Sequence, residues 1–248
     1  MRVVKILIVL LIPLFLFSQQ NLPYKMGEYT SYNISFEGIN VAFADIHIKN
    51  SILINKTPTF HIVAKAKTAS FFDLFFKVRD TYETYIDTSC LLPVRFYRNI
   101  QEGGHKKIQR YNFQHKKKKV YFKDTSHVIF ETTQDMLSAF FYARTFSSEN
   151  LNNETKFTVP VFMDEENFDL DILYLYNEIL ETKIGKINCM VFKPIMQEGR
   201  VFEDGEQMKV WISDDDNRLL IKVETEIWAG TIKAEVLSVK NVQHKYNQ

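Results

Sequence analysis

The chain has 248 residues, with 31 basic and 30 acidic side chains, so its formal net charge is close to zero. This balance excludes the strong basic field by which many proteins are drawn to nucleic acid. Only two cysteines are present, which is too few for the disulfide framework of a small secreted domain.

The chain begins with the layout of a secretory signal peptide. Arg2 and Lys5 give a positive start, residues 6–17 are apolar apart from Pro13, and Ser18 returns the chain to polar composition. This apolar stretch is shorter than the roughly 20 residues that a bilayer-spanning helix needs. No cysteine follows it for lipid attachment at a cleavage point. The pattern therefore predicts an exported protein that is not a lipoprotein.

We expect residues 1–18 to be removed and residues 19–248 to form a single exported β domain. That domain would be periplasmic or associated with the outer membrane, and the absence of a second long apolar run predicts no transmembrane span after cleavage. An uncleaved N-terminal anchor is the alternative interpretation of the leader. The polar segment 147–154 is a candidate break between two sub-structures.

Most of the sequence after the leader alternates between apolar and polar residues, which is typical of half-buried β-strands. In the second predicted strand, Ala42, Ala44 and Ile46 share one face, whereas Asp45 and His47 share the other. The pattern predicts strands over residues 28–36, 41–54, 59–67, 78–87, 94–101, 107–114, 119–123, 156–163, 168–176, 187–192, 207–213, 219–227 and 231–240.

One α-helix is predicted over about residues 133–146, where apolar residues recur with helical spacing. Thr132 or Thr133 is the predicted N-cap, with Asp135 in the first turn. A short helical turn is predicted over about residues 69–76. Because so many antiparallel strands must close or cover their edges, we expect an all-β, barrel-like or strongly curved sheet with the helix packed against it.

Four phenylalanines fall within six residues, at Phe71, Phe72, Phe75 and Phe76. They cannot share one side of a strand, but one helical turn would place them on a single apolar face. One interpretation is a plug that caps the end of the barrel. The other is a lid or rim that meets an apolar ligand or a membrane surface.

Four charged residues stand close to this cluster or on the predicted helix: Arg79, Asp80, Asp135 and Arg144. Arginine–carboxylate pairs are strong and directional when they are partly buried. The residues could form a structural network that ties the helix to the sheet. Alternatively, they could bind an anion or a lipid headgroup at the mouth of a cavity.

The sequence predicts no catalytic residue, cofactor or metal site. It contains no HExxH motif, phosphate-binding loop or ordered Ser-His-Asp set. The acidic run Asp214–Asp216 lacks the spaced ligands of a calcium loop. Cys90 and Cys189 could form one bridge after export, or both could be free thiols. The basic run at residues 116–119 is interpreted as the solvated tip of a hairpin, with contact to an anionic surface as the alternative.

Seven segments of the chain form an ordered set: residues 26–29, 32–36 with Gly38, 77–87, 91–96, 135–138 with Arg144, 211–215 and 230–235. Taken in this order, they resemble the DUF3108 family of exported bacterial proteins of unknown function. One departure is Leu220, where the family pattern suggests proline. The resemblance implies an all-β exported protein and supplies no chemistry.

Together these features favour a non-enzymatic envelope protein that binds an apolar or amphipathic, lipid-like ligand. A scaffold that docks another envelope protein is the main alternative, and a hydrolase with an unrecognised site is a third. The candidate ligand-contacting residues are Phe71, Phe72, Phe75, Phe76, Arg79, Asp135 and Arg144.

Overall fold

The computed structural model describes residues 22–195 and 207–245, so the predicted leader and its cleavage point lie outside the described residues. Within these ranges, fourteen strands form one antiparallel sheet, with one α-helix and two short 3-10 turns. The strands are β1 (Tyr29–Phe36), β2 (Ile39–Ile54), β3 (Thr57–Thr68), β4 (Arg79–Asp87), β5 (Pro93–Glu102), β6 (His105–Gln114), β7 (Lys119–Phe122), β8 (Thr125–Val128), β9 (Lys156–Met163), β10 (Glu166–Thr182), β11 (Gly185–Ile195), β12 (Gln207–Ser213), β13 (Leu220–Ile227) and β14 (Gly230–Lys240); the helix is α1 (Met136–Ala143), and the 3-10 turns are Phe72–Leu74 and His115–Lys117.

The sheet consists of two up-and-down meanders joined side by side. Its spatial order is β8-β7-β6-β5-β4-β3-β2-β1-β14-β13-β12-β11-β10-β9. The first and last strands of the chain, β1 and β14, therefore pair in the middle of the sheet, as in the partnership of Tyr32 with Val236. The two outer strands, β8 and β9, are joined through α1.

Tight turns connect neighbouring strands where the backbone can adopt a left-handed conformation. Glu37 and Gly38 have φ values of 48° and 80°, and Asn55 and Lys56 have values of 50° and 69°. Two successive positive φ angles are characteristic of the two-residue hairpin turns that match the natural twist of paired strands. Asn and Gly tolerate this conformation best, which accounts for the sharp reversals at these positions.

The sheet curves until its two ends meet. Asp164, in the β9–β10 turn, forms ion pairs with Arg98 of β5 and Lys107 of β6. Next to this turn, the Asn167 side-chain amide donates to the Val128 carbonyl at 2.7 Å. The Phe162 ring packs edge-on against Tyr111 at a centroid distance of 5.1 Å. These contacts close a barrel-like shape through side chains, and among the described residues no ladder of backbone hydrogen bonds joins the two outer strands.

The segment before α1 covers the edge of β9. The Gln134 amide donates to the Pro160 carbonyl, and the Phe162 amide donates to the Gln134 carbonyl, both at 2.8 Å. Helix α1 then enters the interior of the curved sheet. Its sequence is apolar on nearly every side, as expected of a buried helix. Leu137 and Phe141 join the main core, and Ala139 packs with core residues of β9.

The helix starts later and ends earlier than the predicted range of 133–146. Asp135, and neither Thr132 nor Thr133, is the N-cap: its carboxylate accepts the Leu137 and Ser138 amides at 2.9 and 2.8 Å. The Ser138 hydroxyl in turn accepts the Asp135 amide, which completes a capping box. The preceding residues are held in the extended pairing with β9, so the helix cannot begin before Asp135.

Candidate functional site

An apolar cleft of about 170 Å³ lies between α1 and the face of strands β9–β12 that is turned toward it. The cleft is partly open to solvent. Its lining is almost entirely aliphatic and aromatic, with polar groups gathered where the chain leaves α1. The lining residues are Met136, Ala139, Phe140, Ala143, Arg144, Phe146, Ser147, Ser148, Leu151, Phe157, Leu170, Ile172, Met190, Phe192, Pro194, Val210, Ile212 and Arg218.

The strand register explains why apolar side chains collect on this wall. Met190 of β11 is paired with Ile212 of β12, and Phe192 with Val210. Because directly paired residues project from the same face of a sheet, these four side chains form one surface. Ile172 of β10 extends that surface, since it is paired with cleft-lining residues of both β9 and β11.

The opposite wall is one face of α1. Met136, Phe140 and Ala143 are spaced at i, i+4 and i+7, so they lie one above another on the helix. Leu137 and Phe141 follow the same spacing on the neighbouring face and pack into the main core. The helix is therefore held in place by one face while another face borders the cleft.

Two arginines border the cleft where α1 ends, and they differ in their partners. Arg144 is almost fully buried and forms an ion pair with Glu28, with the Nη1–Oε1 distance at 2.6 Å. Its remaining donors bind the carbonyls of Pro23 and Asn217. Arg218 donates to the Arg144 carbonyl at 3.1 Å, while its buried Nε has no hydrogen-bond partner. Among the described residues, no carboxylate forms an ion pair with Arg218.

The predicted phenylalanine cluster lies elsewhere, in the connection between β3 and β4. A 3-10 turn covers Phe72–Leu74, within the predicted range of 69–76. Phe71, Phe75 and Phe76 are 66%, 75% and 56% exposed, whereas Phe72 is half-buried. These exposures contradict the interpretation as a buried plug. None of the four lines the cleft, so a role in contacting an apolar partner stays a prediction.

Arg79 lies directly beneath this turn and holds it to the sheet. Its guanidinium forms an ion pair with Asp73, and the Nη1–Oδ1 distance is 2.9 Å. Hydrogen bonds from Arg79 and Thr68 lower the pKa of Asp73 to about 2. The neighbouring Asp80 accepts the backbone amide of Gln101 at 2.9 Å. These contacts give Arg79 and Asp80 clear structural roles.

Asp135 is fully buried and borders neither the cleft nor the phenylalanine cluster. Besides capping α1, its carboxylate accepts the Thr84 hydroxyl of β4 at 2.6 Å. Burial raises the pKa of Asp135 to about 6, although the bonds from Thr84, Ser138 and Leu137 oppose this shift. Of the seven predicted ligand-contacting residues, only Arg144 lines the cleft.

The cleft residues on strands β10–β12 were not among the sequence-predicted candidates. The sequence signal for them was the consecutive apolar run Cys189–Phe192. Such a run indicates that both faces of β11 are covered, but it does not show which parts of the chain cover them. A single-sequence pattern cannot distinguish a strand face that packs against a helix from one that borders a cavity.

A second, polar pocket of about 270 Å³ lies beside the β12–β13 turn and includes Asp214 and Asp215. The Asp215 carboxylate is occupied by the turn itself, because it accepts the Ser213 hydroxyl and the amides of Asn217 and Arg218. In the described ranges, no group of three or more His, Cys, Asp or Glu side chains could hold a metal.

The two cysteines do not form a bridge. Cys90 is exposed in the β4–β5 turn, while Cys189 is buried in β11. Burial raises the pKa of the Cys189 thiol to about 12, which makes it unreactive in the folded protein. The sequence left open a Cys90–Cys189 bridge or two free thiols, and the structure has two free thiols.

Comparison with solved structures supports the fold. The chain is similar to a β-barrel-like protein of the DUF1849 domain of unknown function from Brucella abortus, with a TM-score of 0.56 and 7% identity over 89% of this chain and 100% of that one. Weaker similarity extends to a protein of Parabacteroides distasonis provisionally described as a lipoprotein, with a TM-score of 0.41 and 10% identity over 89% of this chain and 98% of that one. At 7% identity, the Brucella match shows a shared fold and nothing about function.

No curated protein matches the sequence significantly. Across the residues that the structure describes, no helix has the length and apolar composition needed to cross a membrane. One family model, described as a protein of unknown function, matches residues 31–236 and thus most of the sequence. The chain therefore belongs to the DUF3108 family.

Proposed function

We propose that this protein is a non-enzymatic envelope protein that binds an apolar or amphipathic, lipid-like ligand in the cleft beside α1. The composition of that cleft is the main support for this function. Apolar side chains from one helix and four strands surround a space that no described side chain fills. Concave, mostly apolar pockets with a few convergent polar groups are the usual form of small-molecule sites.

The volume of the cleft limits what it can enclose. At about 170 Å³ it is close to the roughly 150 Å³ apolar cavity that holds one benzene molecule. It is smaller than the roughly 300–1,000 Å³ of a typical ligand pocket. We therefore expect one end of a hydrocarbon chain to enter the cleft while the rest of the ligand lies along the open side.

The polar groups at the end of the cleft favour an amphipathic ligand over a purely apolar one. Arg218, Ser147 and Ser148 all border the space, and no carboxylate is among the lining residues. An acidic headgroup could accept hydrogen bonds from an arginine that has no anionic partner among the described residues. The anchoring role of Arg144 leaves it few free donors for this purpose.

The arrangement of charged groups supports a binding role over hydrolysis. A hydrolase would need carboxylates, or Arg79 with Asp135, to converge on open space. Instead Arg79 is paired with Asp73, and Asp135 is enclosed with Thr84. In the polar pocket, the Asp215 carboxylate next to Asp214 is occupied by hydrogen bonds within the β12–β13 turn. Export to the envelope rests on the leader sequence, and cell fractionation with an antibody to the protein tests it directly.

Filling the cleft provides the test of ligand binding. Ala143→Phe places a large side chain in the cleft, whereas Ala229→Phe makes the same change in the exposed β13–β14 turn. Binding of the apolar fluorescent probe 1-N-phenylnaphthylamine, and its displacement by a fatty acid, would be measured for each variant. Ala143→Phe should weaken probe binding about tenfold or more while Ala229→Phe leaves it unchanged. Equal binding by both variants would contradict a site in this cleft.

A further inference from the structure

An exposed group of apolar side chains projects from the connection between β3 and β4. We call Phe71, Leu74, Phe75 and Phe76 the aromatic tip. Leu74 is 81% exposed, and the three phenylalanines are each more than half exposed. Four large apolar side chains crowded into six residues differ from isolated exposed apolar residues, which are common on any surface. A contiguous patch of this kind usually marks an interaction site.

The tip is held rigidly in its exposed position. Asp73 is tied to Arg79 and to the Thr68 hydroxyl at the end of β3. The Phe75 amide donates to the Phe72 carbonyl at 3.0 Å, which closes the turn. The Phe71 ring contacts Phe72 and Phe75 at centroid distances of 5.3 and 5.7 Å. The exposed rings are therefore pre-arranged, and little conformational entropy is lost when they become buried.

Neighbouring turns extend the apolar surface along the same end of the barrel. The Ala69 amide bonds to Val41, which places the tip beside the β1–β2 turn. Hydrogen bonds between Glu37 and Thr231 connect the β1–β2 turn to the β13–β14 turn. Trp228, in the latter turn, is 88% exposed. Since adjacent strands are about 4.8 Å apart, neighbouring hairpins bring these groups into one row at about 10 Å intervals.

Three exposed lysines surround the tip, and Glu102 at the end of β5 also lies nearby, bridged to Val78. Lys77 follows the tip directly, and Lys67 lies on the adjoining end of β3; both are exposed. Exposed Lys106 lies at the start of β6, next to the β5–β6 turn, whose Gly103 amide donates to the Lys77 carbonyl at 2.8 Å. The one acid within the tip, Asp73, is already neutralised by Arg79.

We infer that the aromatic tip docks the protein onto an anionic lipid surface. Aromatic and aliphatic side chains flanked by lysines are the combination by which peripheral proteins bind the interface of a charged bilayer. The rings enter the boundary between headgroups and acyl chains, and Lys67, Lys77 and Lys106 remain at the level of the phosphates. This surface is separate from the cleft, so docking does not depend on the proposed ligand.

Vesicle co-sedimentation tests this inference with the purified protein. The probes are vesicles of phosphatidylethanolamine mixed with phosphatidylglycerol, and zwitterionic vesicles of phosphatidylcholine. The wild-type protein should sediment with the anionic vesicles, and less so as salt is raised. Phe71→Ser combined with Phe75→Ser should weaken this binding about tenfold or more. Phe130→Ser is the matched control, because Phe130 is 61% exposed but lies outside the tip.

A charge-reversal variant separates the two contributions. Lys77→Glu combined with Lys106→Glu should reduce binding to anionic vesicles about tenfold without affecting the weaker binding to phosphatidylcholine. Circular dichroism confirms that each variant is folded. Equal loss in the Phe130→Ser control, or unchanged binding in the Phe71→Ser, Phe75→Ser variant, would overturn the inference. A wild-type protein that sediments with neither kind of vesicle would also overturn it. In that case, capture of an envelope protein by a photo-crosslinker at residue 75 would indicate that the tip docks a protein instead.

Discussion

Replacing Arg144 with methionine should lower the free energy of unfolding by about 3–5 kcal/mol. Arg144 is the last residue of the α1 region and joins three separate parts of the chain. Its guanidinium contacts the Glu28 carboxylate at 2.6 and 3.2 Å and donates to the carbonyls of Pro23 and Asn217 at 3.1 and 2.8 Å. Both members of the ion pair are buried, with side chains only 3% and 4% exposed.

The magnitude follows from what the substitution leaves behind. Methionine preserves much of the apolar contact with the Tyr24 and Phe141 rings, over which the guanidinium carbon lies at 5.2 Å. The Glu28 carboxylate, however, remains buried without its counter-ion, and two carbonyls lose their donors. Removing one partner of a buried pair typically costs about 3–5 kcal/mol, a large part of the roughly 5–15 kcal/mol that stabilises a folded protein.

Urea denaturation followed by tryptophan fluorescence measures the effect, because Trp211 is buried in the folded protein. Glu28→Met provides the second single variant, and the double variant Glu28→Met, Arg144→Met completes a thermodynamic cycle. Removing both charges should recover most of the lost stability, since a buried ion pair can often be replaced by apolar residues at little cost. A loss below about 1 kcal/mol for Arg144→Met, or strictly additive losses in the double variant, would contradict a buried, coupled ion pair between Arg144 and Glu28.

Because the pKa of Asp135 is raised to about 6, the folded state binds this proton more tightly than the unfolded state, so stability should fall as pH rises from about 4 to about 6. Asp135→Asn keeps the helix cap and should flatten that slope in denaturation curves recorded across this range; an unchanged slope would contradict the assigned burial. Without reductant, a maleimide should label Cys90 in the folded protein and Cys189 only after denaturation, whereas labelling of neither would indicate a bridge. Gly103→Ala should destabilise the protein by about 1–2 kcal/mol in thermal melts, because Gly103 has a φ of 57° and an added Cβ would lie 2.8 Å from the Phe76 ring; no measurable change would show that the turn relaxes.

The alternation of polar and apolar residues was sufficient to predict most of the strands. Strand β9 has the predicted bounds of 156–163, because its inward face packs on α1 and its other face is polar at several positions. Strand β8 was missed because Thr125–Val128 is short and mostly polar, with little apolar pattern to recognise. Its place in the sheet depends on pairing with β7, which is a property of the tertiary structure.

The site was less accessible to sequence reasoning than the fold. The phenylalanine cluster was recognisable as an apolar face, but local sequence does not show whether another part of the chain covers that face. Arg144 was among the sequence-predicted candidates, but its partner Glu28 lies 116 positions away and could not be assigned from spacing. The cleft depends on the register between β11 and β12, where Met190 is paired with Ile212, and register is set only when the sheet assembles.

Native mass spectrometry of the protein purified gently from cell envelopes tests whether the cleft beside α1 holds a ligand. A fraction of the wild-type protein should retain a bound apolar or amphipathic molecule that dissociates on collisional activation. Ala143→Phe should lose that species, while Ala229→Phe retains it. A wild-type protein that carries no bound molecule and fails to take up added fatty acid, or an equal adduct in Ala143→Phe, would contradict ligand binding in the cleft beside α1.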